Sequence, residues 1–235
     1  NLKGVAFTGS TTTARKIQSS LIENHNELIK FIAETGGLNC MIVDSSALLE
    51  QVTDDVIRSA FNSAGQRCSA LRVLIIQEDI YDDAKEMITG AMQVLDLGPT
   101  EDFNNDIGPI ISKEAFYKLK DYIESASIDG RNIIQAQNYI DDRYVPPTII
   151  EIESLSELES EQFGPILHLM KFKSGNVQGV VEEINKLNYG LTLGVHTRVE
   201  SRADEIANAA NVGNVYINRD IVGAVVGVQP FGGEG

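Results

Sequence analysis

A cysteine at position 68 is the first candidate for covalent chemistry in this chain of 235 residues. It lies in the segment SAGQRCSA, directly after Arg67 and shortly before an apolar run rich in β-branched residues. Cysteine attacks as the thiolate, and a neighbouring cation or well-oriented backbone N–H groups favour that charged form. The sequence around Cys68 is therefore typical of a nucleophile.

A carboxylate upstream is a possible partner for this thiol. Glu34 lies in the segment AETGG, where two glycines allow a ligand to approach the backbone closely, and a buried carboxylate can act as a general base. One thiol and one carboxylate suggest acyl or aldehyde chemistry. Taken singly, each has a structural explanation, since a lone cysteine is often inert core and a glutamate before Gly-Gly often ends a strand.

Taken together, AETGGLN and SAGQRCSALR resemble the aldehyde dehydrogenase superfamily, in which a glutamate and a cysteine at this separation are general base and nucleophile. Further matches follow in chain order: FTGST at 7–11, EQFGP at 161–165, NVYIN at 214–218 and PFGG at 230–233. The run MIVDSSAL and the ending GAVVGVQPFGGEG are most similar to the 1-pyrroline-5-carboxylate dehydrogenases, as in the C-terminal module of the bifunctional proline utilization A enzymes. The resemblance extends over nearly the whole chain.

The resemblance implies that an NAD-dependent reaction takes place on the cysteine. Cys68 would form a thiohemiacetal and then a thioester with an aldehyde, and Glu34 would activate the water that hydrolyses the thioester. FAD is expected only if the whole protein also carries a proline dehydrogenase domain. The residues expected to contact NAD are Gly9 and Ser10 in a phosphate-binding turn, Gly36, Glu161 at the nicotinamide ribose and Phe163 on the nicotinamide side.

The resemblance also implies a substrate, L-glutamate γ-semialdehyde, which would be oxidised to L-glutamate. The α-carboxylate of this aldehyde needs donors at the far end of the pocket, and a charged group with backbone N–H groups suits it. The matching positions are Arg67, Ser69, Gly223 and Ala224, while Phe231 would pack against the aliphatic part of the substrate.

Other interpretations remain open from the sequence. Glu161 ends an acidic run that is typical of solvated surface, and most Gly-Ser turns before helices bind nothing. The whole chain could also be an aldehyde dehydrogenase of another subfamily, or a catalytically silent interaction or folding module.

Composition restricts the class of protein further. A formal charge of −15 argues against nucleic-acid binding, because phosphates need a basic surface. No apolar run approaches the roughly 18 residues of a membrane span, and two cysteines make no disulfide framework, so a cytoplasmic protein is expected. The dispersed histidines predict no metal site. Expected partners are a small aldehyde, the rest of the same polypeptide and further copies in a homo-oligomer.

The order of elements predicts an α/β fold with a largely parallel sheet. The resemblance implies that this fold is aldehyde dehydrogenase-like, with the sheet in the catalytic domain and a remnant of a Rossmann-type NAD-binding domain. The predicted units are the NAD-binding remnant at 1–36, the catalytic domain at 37–218 and, at 219–235, a truncated substrate-anchor loop that returns toward the NAD-binding domain. Strands are predicted at 5–8, 28–33, 40–43, 71–77, 132–136, 148–152, 166–172, 192–197 and 215–218, and helices at 11–24, 47–63, 80–95, 115–126, 177–187 and 201–210.

Both ends are expected to be cut, because the sequence opens within a strand and stops within a glycine-rich loop. The resemblance then implies that most of the NAD-binding domain, an asparagine that helps to hold the oxyanion and an oligomerisation strand lie outside this sequence. A fragment of this kind is expected to be inactive alone.

Overall fold

The computed structural model describes residues 2–137, 141–225, 227–229 and 231–233. The predicted units and motifs include Asn1, residues 138–140, Val226, Pro230, Glu234 and Gly235, which lie outside the described residues. The strands are β1 (Gly4–Thr8), β2 (Lys30–Glu34), β3 (Asn39–Val43), β4 (Leu71–Gln77), β5 (Ile133–Gln135), β6 (Thr148–Glu151), β7 (Ile166–Phe172), β8 (Thr192–His196) and β9 (Asn214–Ile217). The α-helices are α1 (Thr11–Asn24), α2 (Leu49–Phe61), α3 (Tyr81–Gln93), α4 (Lys113–Ile128), α5 (Val177–Asn185) and α6 (Glu200–Ala209).

Seven strands form the main sheet in the order β5-β6-β7-β4-β3-β8-β9. All neighbouring pairs are parallel except β5 with β6, which run antiparallel at one edge. The central strands β3 and β4 are buried along their whole length, as expected for parallel strands that are covered on both faces. The predicted α/β class with a largely parallel sheet is confirmed.

Two hydrophobic cores lie on opposite faces of the main sheet. On one face, Met41 and Leu74 pack with residues of α2, α3 and α4, such as Phe61. On the other face, Ile42 and Val73 pack with residues of α5 and α6. The alternation along β3 and β4 follows from the two-residue period of a strand, which sends successive side chains to opposite faces.

A second, smaller sheet consists of β1 and β2, which pair in parallel with α1 as the crossover. This unit exposes large apolar side chains: Ile22 is 73%, Leu28 105% and Ile32 53% exposed. A two-stranded sheet is marginal unless another layer covers it. The small sheet therefore has an apolar surface that the described residues leave uncovered.

The predicted elements are all present, and many of their bounds lie one or two residues from the observed ones. Two of these differences have a clear structural reason. The strand predicted at 28–33 lies at 30–34, because Leu28 is exposed and does not pair. The helix predicted at 47–63 ends at Phe61, and the backbone then turns left-handed at Ser63, Ala64 and Gly65, with φ of 57°, 52° and 64°. The predicted division into 1–36, 37–218 and 219–235 stays a prediction.

Two histidines are buried in the main sheet. His168 Nδ1 donates to the Arg72 carbonyl at 3.0 Å, and Nε2 of the neutral ring accepts from the Tyr122 hydroxyl at 2.8 Å. Burial lowers the pKa of His168 and of His196 to about 4. Both rings are therefore neutral at neutral pH.

Within the described ranges, no helix combines the length and the apolar character needed to cross a bilayer.

Gly65 is predicted to tolerate no side chain. A Cβ there would lie 2.2 Å from the Gly164 carbonyl oxygen, in a left-handed conformation, so we expect Gly65→Ala to lower the free energy of unfolding by more than about 2 kcal/mol. Gly90, inside α3, has open space where a Cβ would lie, and Gly90→Ala should raise the free energy of unfolding by about 0.5–1 kcal/mol. Urea unfolding measures both, and equal effects would contradict the close contact at Gly65.

The pH dependence of stability should carry the signature of His168. The pKa of His168 in the folded chain is about 4, below the ordinary 6.5. Between pH 4 and pH 6.5 the unfolded chain therefore binds a proton at this residue that the folded chain does not bind. Stability is complete above pH 6.5 and decreases as pH falls toward 4. His168→Gln, whose amide can bond to both neighbours, should reduce the slope in this window by about 1.4 kcal/mol per pH unit. Urea midpoints at several pH values test this, and an unchanged slope would contradict a neutral buried ring.

Candidate active site

One cleft of about 720 Å³ brings together every residue predicted to bind cofactor, bind substrate or react. It lies where the carboxyl ends of β1 and β2 face the amino ends of β3, β4 and β7. The roles of the residues stay predictions, but their convergence is observed. The cleft is lined by Thr8, Gly9, Ser10, Glu34, Thr35, Gly36, Gln66, Arg67, Cys68, Ser69, Glu161, Phe163, Gly223, Ala224 and Phe231.

The loop that carries Cys68 is held by its backbone. The Asn39 side-chain amide donates to the carbonyl oxygens of Cys68 at 2.7 Å and Ala70 at 2.9 Å. A Cβ at Gly37 would lie 2.9 Å from the Cys68 carbonyl oxygen, so only glycine fits against this loop. The AETGGLN segment therefore positions the loop that carries Cys68 as well as supplying Glu34.

The surroundings of Cys68 only partly match the expected activation of a thiolate. Burial raises the pKa of the half-buried Cys68 thiol, and this outweighs the backbone N–H groups of Ser69 and Cys68, which lower it. The negative charges of Glu161 and Glu34 also raise it. The Arg67 guanidinium, expected to favour the thiolate, donates instead from Nε to the Ser63 hydroxyl at 3.0 Å. At neutral pH the Cys68 side chain is thus a neutral thiol.

Glu34 is the last residue of β2, half-buried beside the turn that follows β1. Its carbonyl oxygen accepts a hydrogen bond from the Gly9 N–H at 3.2 Å, which ties that turn to the strand end. A Cβ at Gly232 would lie 3.4 Å from Glu34 Oε1, so the C-terminal loop also reaches this carboxylate. Glu34 faces the same cleft as Cys68.

The turn at Gly9 and Ser10 lies at the N-terminus of α1. The Ser10 side chain caps the helix by accepting from the Thr13 N–H at 3.3 Å, in an extended conformation. Both turn residues are exposed. Free N–H groups and the positive end of the helix dipole at this position suit a phosphate group.

Glu161 is not a solvated surface residue, although it ends an acidic run. Its side chain is 13% exposed, and Oε1 accepts from Arg72 Nη2 at 2.9 Å and Nε at 3.2 Å. The Gly37 N–H donates to Oε2 at 3.3 Å. Burial raises the pKa of Glu161, whereas Arg72 and the Gly37 N–H lower it. A Cβ at Gly36 would come within 2.6 Å of Oε2, so this glycine leaves room for the carboxylate.

Arg72 was not identified from the sequence. Its side chain is fully buried in β4, and its guanidinium lies 5.4 Å from the centre of the Phe163 ring. The signal that could have identified it is an arginine in a continuous apolar, β-branched strand, since a buried charge requires a partner. Gln66, also missed, bonds to the Pro109 carbonyl and the Ile111 N–H.

The residues predicted to bind a substrate carboxylate all line the cleft. Gly223 has a φ of 76°, and a Cβ there would lie 3.9 Å from Arg67 Nη1. Ser69 is buried, and Phe231 is 55% exposed. Their convergence agrees with a pocket for a short anionic chain. Among the described residues, no group of three or more His, Cys, Asp or Glu side chains is arranged to hold a metal ion.

The comparisons with known proteins agree with this fold. The model of the "Aldehyde dehydrogenase family" matches residues 1–235. The chain therefore belongs to the aldehyde dehydrogenase family.

Individual members of the family are similar to this chain over nearly its whole length. The bifunctional protein PutA of Klebsiella aerogenes is 48% identical over 245 residues, covering 100% of this chain and 19% of PutA. The 1-pyrroline-5-carboxylate dehydrogenase of Staphylococcus haemolyticus is 35% identical, with 97% of this chain and 45% of that protein covered. A crystal structure of a Bradyrhizobium japonicum Proline Utilization A (PutA) mutant superimposes with a TM-score of 0.96 at 45% identity, covering 99% of this chain and 24% of that one.

The chain spans about a fifth of the length of the PutA relatives and less than half of the dehydrogenase. The expected family and the similarity to these two groups of proteins are confirmed.

We expect only one cysteine of the folded chain to react with a thiol reagent. Burial raises the pKa of Cys40 to about 12 and encloses its side chain, whereas Cys68 faces the cleft. Iodoacetamide should label Cys68 first, at a rate that continues to rise above pH 9 because its pKa is also raised. Mass spectrometry of peptides locates the label. Preferential labelling of Cys40, or a rate that is already constant at pH 7, would contradict the described surroundings.

Proposed function

We propose that this chain is the cysteine-bearing part of a longer enzyme that oxidises L-glutamate γ-semialdehyde to L-glutamate with NAD. The observation that carries the proposal is the single cleft that unites Cys68, Glu34, a candidate cofactor wall and a candidate carboxylate anchor. The similarity to PutA and 1-pyrroline-5-carboxylate dehydrogenase supports the choice of substrate.

In the proposed reaction, the Cys68 thiol gives its proton to water in the cleft, and its sulfur adds to the aldehyde carbon to form a thiohemiacetal. The Cys68 N–H faces the developing oxyanion, and hydrogen bonds from backbone N–H groups stabilise such charge. NAD, when bound, would supply the hydride acceptor needed to oxidise the thiohemiacetal to a thioester. Glu34 then takes a proton from a water molecule, which attacks the thioester carbon; the C–S bond breaks, the carboxylate is released and the Cys68 sulfur regains a proton.

The residues of the cleft fit a dinucleotide. The N-terminus of α1, with Gly9 and Ser10, suits a diphosphate. The Glu161 carboxylate, held by Arg72, suits hydroxyl donors such as those of a ribose, and Gly36 leaves the carboxylate free of side-chain contact on that side. Phe163 offers an apolar ring beside it. These contacts support NAD as the cofactor.

The proposed anchor for the substrate α-carboxylate consists of Arg67, Ser69 and the backbone N–H groups of Gly223 and Ala224, with Phe231 against the methylene groups. A guanidinium and backbone N–H groups form strong, charge-assisted hydrogen bonds with a carboxylate. This anchor distinguishes the proposal from a dehydrogenase of simple aldehydes.

The proposed longer enzyme completes the cleft and covers the apolar surface of the small sheet around Leu28 and Ile32. We further propose that it is a cytoplasmic homo-oligomer, which agrees with two free cysteines and an acidic surface. FAD enters the proposal only for a longer enzyme that also carries a proline dehydrogenase domain.

The first test measures NADH formation from L-glutamate γ-semialdehyde by the longer enzyme. Cys68→Ala should abolish turnover. Glu34→Gln should release about one NADH per site in a burst and then stall, because the thioester forms but is hydrolysed slowly. Full steady-state turnover in either variant would exclude the assigned role, and absence of activity in the unchanged enzyme would favour a silent module.

The second test separates the proposed substrate from other aldehydes. Arg67→Met should lower kcat/KM for the semialdehyde about 10- to 100-fold, the range expected for a lost hydrogen bond to a charged group. The same change should affect propanal less than about threefold, because propanal has no carboxylate. Arg143→Met, which removes an exposed arginine outside the cleft, is the matched control. Equal losses on both aldehydes would favour another subfamily.

A further inference from the structure

Arg72 is connected to both loops that form the inner wall of the cleft. From the loop before β7, the Glu161 carboxylate accepts two of its hydrogen bonds and the Gly164 carbonyl accepts a third at 3.0 Å. From the loop that carries Cys68 (residues 62–70, the Cys68 loop), the Arg67 carbonyl accepts a fourth hydrogen bond, from Nη2 at 3.1 Å. The Phe163 ring covers the guanidinium. One side chain thus joins two loops that belong to different parts of the sequence.

The chemistry of this position requires arginine. The side chain is fully excluded from water, and a buried guanidinium needs an acceptor for most of its five N–H groups. Here a carboxylate and two carbonyls accept from Nε, Nη1 and Nη2. Lysine would retain the charge, but its single nitrogen cannot reach acceptors spread along a planar fork.

The backbone of Arg72 is also fixed. Its carbonyl oxygen accepts from the buried His168 ring, and the other nitrogen of that ring bonds to the Tyr122 hydroxyl of α4. The bond from His168 joins β7 to β4, next to the register pair Val73 and His168. The guanidinium therefore extends from a rigid point of the sheet into the wall of the cleft.

The contacts at Glu161 show what this rigidity achieves. Arg72 occupies Oε1, whereas Oε2 is turned toward the Gly37 N–H and the cleft. Without the guanidinium, burial would favour the protonated carboxylic acid, since burial already raises the pKa of Glu161. A protonated or rotated Glu161 would lose its strength as an acceptor for a hydroxyl group on a ligand.

We propose that Arg72 is a positioning residue. It holds the cofactor-facing carboxylate of Glu161 and the Phe163 ring in a fixed position relative to the Cys68 loop. Arg72 does not touch substrate or cofactor; it acts through Glu161. The inference rests on the proposed NAD-dependent function.

The test uses the longer enzyme with Arg72→Lys and Arg72→Gln, measured beside Glu161→Gln. We expect Arg72→Lys to raise KM for NAD about tenfold, as for the loss of a hydrogen bond to a charged group, with less than about a threefold change in KM for the aldehyde. Glu161→Gln should raise KM for NAD similarly, and the double variant R72Q/E161Q should be no worse than the poorer single variant, because both changes remove one interaction.

Arg202→Lys is the matched control. Arg202 also forms an ion pair with a buried carboxylate, Asp44 at 2.8 Å, but lies outside the cleft. It should lower thermal stability without changing KM for NAD. If Arg72→Gln does not fold, Arg72→Lys and Glu161→Gln still give the comparison.

The outcomes separate the two proposals. The role of Arg72 is overturned if the enzyme without substitutions forms NADH and Arg72→Lys leaves the KM for NAD unaltered. Additive losses in the double variant overturn it as well. An unchanged enzyme that forms no NADH with any aldehyde refutes the proposed function, and with it the role that depends on NAD.

Discussion

A fully buried positive charge fixes the arrangement of the cleft. The Arg72 guanidinium is removed from water, and burial lowers its pKa, so its charge is sustained by the Glu161 carboxylate and by backbone carbonyls. Removing either charge would leave the other buried without a partner, which is far more unfavourable than the loss of a surface pair. Because the partners come from two loops, the geometry of those loops is tied to the stability of the sheet.

The position of the cleft follows from two sheets that meet end to end. The small sheet presents the carboxyl ends of its strands, the usual place for ligands in parallel sheets. The main sheet presents the amino ends of β3, β4 and β7, which carry Gly37, Cys68 and Glu161 on the segments before them. A carboxylate on one sheet thus faces a thiol on the other without either lying in a long loop.

Sequence motifs predicted the lining of the cleft well, because short segments with glycine carry their own backbone geometry. The part that could not be predicted depends on strand order. Arg72 and Glu161 are 89 positions apart, and only the neighbouring positions of β4 and β7 bring them together. The antiparallel edge strand β5 and the burial of Glu161 likewise depend on tertiary pairing. The left-handed turn gave no signal, because Ser63 and Ala64 are not the glycines such backbone favours.

That turn shows that the Cys68 loop does not adopt the backbone conformation that its own residues prefer. Left-handed backbone disfavours residues with a Cβ by about 1–2 kcal/mol each, and here it includes Ser63 and Ala64. Close contact between Gly65 and Gly164 and the hydrogen bonds of Gln66 hold the loop in place. Local strain of this kind is maintained by surrounding structure.

The raised pKa of Cys68 has a consequence for damage by oxidants. Peroxides attack the thiolate, and oxidation beyond the sulfenic acid is essentially irreversible. A thiol that stays protonated at neutral pH exposes little thiolate to such reagents, although it faces an open cleft. The same burial that delays ionisation thereby protects the Cys68 sulfur of the folded chain from irreversible oxidation.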